Sequence, residues 1–172
     1  MRGLWHGGVV AVTAVALVTA AAGCFESAVA VGPVEQAVMD KRLVGEWTTK
    51  SDGDTIYFTV RNFNGREYYV EQRETAKDVV RYSGHLAAVG GASFINLRGL
   101  SDDGALAEKY TILRVDRAGD ATVNLRQLEP DFFNGKPHDT AEQLRQVIEQ
   151  NLENPQMYEA DPLVLTRKPA QE

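Results

Sequence analysis

The 172-residue chain has one cysteine, Cys24, and three histidines. A lone thiol excludes an internal disulfide and any site built from several thiolates. A folded domain must therefore rest on an ordinary apolar core. Basic charge is also short. The 18 Lys and Arg stand against 24 Asp and Glu, a net of −6, which argues against nucleic acid and against a basic patch for anionic headgroups. No glycine-rich phosphate loop follows a strand pattern, and no paired carboxylates fall in a recognisable site, so no cofactor is implied. Long apolar runs are confined to one place, the N-terminus.

That run, Leu4 to Gly23, follows a single charge, Arg2, and closes with Ala21-Ala22-Gly23-Cys24. It is at the short end for a membrane span and is flanked like a cleaved signal. The layout resembles a bacterial lipoprotein signal peptide. The resemblance implies cleavage after residue 23, a diacylglycerol on the Cys24 sulfur, and a domain held at the cell envelope outside the cytoplasm. In bacteria with two membranes, Phe25 at the place where aspartate would retain the protein implies the outer membrane. Ala20-Ala21-Ala22 also fits ordinary signal peptidase cleavage, and an uncleaved anchor is a further alternative. Cleavage would remove Arg2 alone among the charges, leaving 17 bases against 24 acids, a net of −7. Residues 24–38, mostly small and interrupted by Gly32-Pro33, read as a lipidated flexible tether. Residues 39–172 are then one domain of common size.

Punctuation gives that domain its fold. Asp52-Gly53, Asn64-Gly65, Gly90-Gly91, Asp102-Asp103-Gly104 and Gly119-Asp120 mark hairpin turns, with a weaker break at Ala76-Lys77-Asp78. Between them lie β-branched and aromatic runs at 44–50, 55–63, 67–75, 79–89, 93–100, 106–115 and 121–128. Several alternate with period two. Ile56, Phe58 and Val60 share a face, as do Ile95 and Leu97, Tyr110 and Ile112, and Val123 and Leu125. One helix follows, with Asp139-Thr140 as cap, Glu142 as the partner of Asp139, a stripe of Ala141, Leu144, Ile148 and Leu152, and a stop at Pro155. A last strand spans 163–166. Eight antiparallel strands leave two open edges unless the last pairs with the first. The expectation is an all-β, eight-stranded up-and-down barrel with one helix before its last strand, and a two-sheet sandwich is the alternative.

Gly45-Glu46-Trp47 opens the first strand after the charged turn Asp40-Lys41-Arg42. This resembles the G-x-W signature of lipocalins and related calycin barrels. The resemblance implies a tryptophan at the closed end of the barrel, packed by a basic side chain; Arg126 is the matching position and Arg167 a substitute.

Candidate chemistry is sparse. Ser83 and His85 share a strand face, but their Cβ atoms lie about 7 Å apart in a regular strand, beyond hydrogen-bond reach. They fall on the barrel exterior, where His85 reads as a surface histidine. His138, Asp139 and Glu142 gather three potential metal ligands at a helix start, but capping employs two of them. No catalytic or metal residue is assigned, and an enzyme is not expected; a hydrolase, the remoter alternative, would require Ser83, His85 and an acid to converge in a cleft. Trp47, Phe58, Val70, Tyr82, Leu97 and Tyr110 are the candidate interior residues. They either line a pocket for a small apolar or amphipathic ligand or simply fill the barrel. In the filled case the protein is a structural or protein-interaction lipoprotein, presenting Tyr57, Tyr69 or the Phe132-Phe133 loop to an envelope protein. Phe132-Phe133 itself reads as a hydrophobic plug.

Overall fold

A computed structural model describes residues 24–51 and 53–169. The leader and cleavage site expected within residues 1–23 lie outside the described residues. The barrel strands are β2 (Gly45–Ser51), β3 (Asp54–Asn62), β4 (Glu67–Arg73), β5 (Val79–Val89), β6 (Ala92–Leu100), β7 (Tyr110–Arg117), β8 (Thr122–Gln127) and β9 (Leu163–Arg167), preceded by a two-residue β1 (Glu26–Ser27). Each barrel strand pairs antiparallel with its neighbour in sequence. Closure comes from β9 against β2, Trp47 opposite Arg167 and Thr48 opposite Thr166. The result is the expected closed eight-stranded barrel with a helix before its last strand, consistent with a lipocalin-like fold.

Each tight reversal uses the backbone its residues favour; Gly53, Gly65, Gly90, Gly91 and Gly119 all hold positive φ. Side chains then alternate. Trp47, Phe58, Tyr68, Val70, Tyr82, Leu86, Ile95, Leu97, Leu113, Val115, Val123 and Leu165 belong to one buried cluster inside the barrel. At its closed end, the 3-10 turn Lys41–Leu43 drops Leu43 into the interior.

A second apolar cluster lies outside the wall. There Val89, Phe94 and Ile112 meet Leu144, Val147 and Ile148 of α2 (Ala141–Gln150), Phe133 of α1 (Pro130–Phe133), and Phe25 and Val31. Strands β5 to β7 are thus apolar on both faces. That explains a parity error in the expected register: Tyr110 and Ile112 face outward, while Leu113 and Val115 face in. A strand covered on both sides carries no polar face to fix which way it points.

Residues 24–38 are not the expected tether. Ser27 pairs with Tyr110 and Glu26 with Thr111, and the Val31 amide donates to Asn96 Oδ1 at 2.9 Å. Phe25 and Val31 are 6% and 1% exposed. Small residues look tether-like in composition, but here they let the chain lie close; Gly32 sits against the Ala87 methyl with no room for a Cβ. The α2 cap also shifts by one residue. Thr140 accepts from the Gln143 amide while the Gln143 side chain accepts from the Thr140 amide, so Asp139 and Glu142 are not the capping pair. The helix ends at Gln150, ahead of Pro155.

Candidate functional site

The closed end is organised around Trp47. Its Nε1 donates to the Leu43 carbonyl at 2.9 Å, and the Arg167 guanidinium stacks over its ring at 4.2 Å. Arg167 also donates to the carbonyls of Val44 and Arg42. The substitute position therefore fills the role, and Arg126 does not. Arg126 pairs with Asp116 and lies over Tyr158 on the outer face. Gly45 has φ +145°, and a Cβ there would collide with the Arg167 guanidinium. The positive φ, more than contact with the movable end of the Arg167 side chain, is the physical reason for glycine two residues before the tryptophan. Opposite, the Tyr68 hydroxyl accepts from the Asp40 amide at 2.7 Å and donates to the Asp40 carbonyl at 3.1 Å. Burial pushes the Tyr68 phenol up to about 12.

Of the six candidate interior residues, Trp47, Phe58, Val70, Tyr82 and Leu97 do face inward. Tyr110 does not. It packs on the exterior, its ring edge-on to His85 and beneath the Arg98 guanidinium at 5.2 Å. What remains empty inside is a cavity of about 50 Å³ with a wholly apolar lining that includes Trp47, Phe58, Tyr68, Val70, Leu97 and Leu165. Ligand sites commonly run from roughly 300 to 1,000 Å³. The barrel is filled by its own side chains.

Ser83 and His85 are not brought together. Ser83 Oγ donates to Glu67 Oε1 at 3.2 Å. His85 is 5% exposed, contrary to the surface position expected of it, because residues 29–33 cover it and Nε2 hydrogen-bonds the Gly32 carbonyl at 2.8 Å. His138 packs its ring against Phe25 and Phe133 and bonds the Lys136 carbonyl through Nδ1. Among the described residues no group of three or more His, Cys, Asp or Glu is placed to hold a metal ion. Phe133 is 1% exposed and stacks on Phe25 at 4.2 Å between centroids, so the Phe132-Phe133 loop is a packing element and not a presented surface. It plugs the outer cluster, not the barrel. Tyr57 is exposed, whereas Tyr69 is half-buried and bonded to Glu71.

Cys24 Sγ donates to Gln127 Oε1 at 2.8 Å. Burial, with Glu159 and Glu26 nearby, pushes the free thiol from 9.0 up to about 11. Sequence reasoning missed a charged crevice at the closed end. Asp40 lies between Arg42 and Arg117, and Asp116 between Arg114 and Arg126. Of these pairings only Asp40 to Arg117 joins residues 77 positions apart, which no short stretch of sequence marks; the others are two or ten positions apart. No protein-family model, curated protein or solved structure matches the chain.

Proposed function

We propose that this protein is a non-catalytic envelope lipoprotein, anchored by acyl chains on Cys24, whose barrel acts through its outer surface as a structural or protein-interaction module. The observation that carries the second half is the interior cavity of about 50 Å³, several-fold below the volume of ordinary ligand sites. The anchor rests on the apolar leader and Ala21-Ala22-Gly23-Cys24. Several acyl chains hold far more firmly than one, since each buried methylene contributes about 0.8 kcal/mol. With residues 25–37 packed on the barrel, such an anchor leaves no slack, and the domain sits directly at the bilayer.

The test has two arms. Bacteria expressing the full chain and fed an alkyne-tagged fatty acid should label it, and Cys24→Ser should lose both label and membrane association. Retention of either in the variant would refute the anchor. Native mass spectrometry of the purified protein should show no co-purified apolar ligand. A bound mass that Leu165→Trp removes by filling the cavity would return the function to the barrel interior.

A further inference from the structure

The rim of the closed end holds a crevice of about 320 Å³ that is separate from the interior cavity. Its charged wall carries two guanidiniums, Arg42 and Arg117, against one carboxylate, Asp40; the side chains of Arg114 and Asp116, neighbours of Val115 on β7, turn to the outer face, where Arg114 bonds the Leu152 carbonyl and the Tyr158 hydroxyl. Arg42 donates to Asp40 through Nε and Nη2 only, and Arg117 through Nη2 only. A guanidinium has five N–H donors, so both keep donors free for a further anion. The Asp40 and Arg117 side chains are each 22% exposed and that of Arg42 is 64% exposed, so the Arg117 side of the crevice is partly desolvated, and ionic contacts there are stronger than in bulk water.

Leu43, Leu86 and Val115, buried members of the interior cluster, supply the apolar part of the crevice lining. Leu43 and Val115 also line the interior cavity. They are the only depth of side chain shared by the two spaces, so a chain that pushes them aside meets empty apolar volume.

We propose that this crevice binds an amphipathic anion with one short apolar chain, the anionic group on Arg42 and Arg117 and the chain over Leu43, Leu86 and Val115. An excess of one guanidinium selects an anion over a cation or a neutral head. A volume at the low end of ligand sites selects one chain over two. The proposal goes beyond the surface role assigned above and does not depend on acylation of Cys24.

The probe is octyl phosphate, titrated calorimetrically into the full chain carrying Trp5→Phe, so that Trp47 is the sole tryptophan. The expected result is saturable binding at least tenfold tighter than that of octanol, octylammonium or ethyl phosphate, with a shift in Trp47 emission. Arg117→Gln should weaken it at least tenfold. Ser93→Phe, at an exposed position on the crevice wall, should abolish it while leaving the circular dichroism and melting temperature unchanged. This second variant keeps the test decisive if Arg117→Gln fails to fold. Equal affinity for octyl phosphate and octylammonium, or for octyl and ethyl phosphate, would overturn the proposal. So would undiminished binding in folded Ser93→Phe, which would make the arginines a structural ion-pair cluster only.

Discussion

Replacing Phe25 by alanine separates a docked N-terminal segment from a tether. The ring is 6% exposed and stacks on Phe133 at 4.2 Å, tilted by 32°. Returning a buried phenylalanine side chain to water costs about 1.5–3 kcal/mol, and the aromatic pair adds about 0.5–1.5 kcal/mol. Large-to-small core substitutions of phenylalanine cost about 3–5 kcal/mol in all. The segment is near a chain end and can release locally, which caps what global unfolding registers. The expected loss is therefore about 2–4 kcal/mol. With a urea slope of about 2 kcal/mol/M, the midpoint falls by about 1–2 M. The assay is urea unfolding of residues 24–172 carrying Cys24→Ser, followed by Trp47 emission, which reports the barrel interior. Amide exchange at Ser27 and Val31 reports release of the segment. A midpoint shift below about 0.2 M at unchanged slope would refute the docking and restore the tether.

Leu165→Ala enlarges the interior cavity and should cost about 2–5 kcal/mol; xenon uptake by the variant, absent in the parent, checks that the lost volume stays dry and apolar. Tyr68, pushed up to about 12 by burial, keeps its proton in the folded state after the unfolded chain has released it. Its contribution is thus whole below pH 10 and drains away between about pH 10 and 12. Tyr68→Phe should flatten this alkaline loss in chemical unfolding curves, and an unchanged pH profile would refute the assignment. An unmodified Cys24 thiol raised from 9.0 to about 11 should react about a hundredfold more slowly with a disulfide reagent at pH 8 in the folded chain than in urea; equal rates would show that the thiol is not held against Gln127.

Much of the fold was legible in residues that act locally. Turn glycines at positive φ and period-two alternation set the number of strands, most of their limits, and the need for the last to close on the first. Gly45, Trp47 and a late arginine were readable too, although the choice of Arg167 over Arg126 was not. Both arginines precede or follow suitable strand residues, and only the β2–β9 register puts Trp47 opposite Arg167. Position 110 shows why the rest was hidden. Tyr110 and Ile112 alternate as an interior pair would, yet β7 is covered on both faces, and the second layer that covers it comes from helices and from residues 25–37. The same layer turned His85 from a surface residue into a buried one.

By itself, then, the sequence determined the strands and turns, the absence of an internal disulfide and the apolar run that precedes Cys24, because these depend on backbone preference and composition. The tertiary structure alone decided that the barrel is full, that the N-terminal segment belongs to the core, and that Arg117 meets Asp40 and Arg42 in one crevice. Cavity volume and charge neighbourhood are differences between packed surfaces far apart in the chain, and no short window of sequence contains both sides.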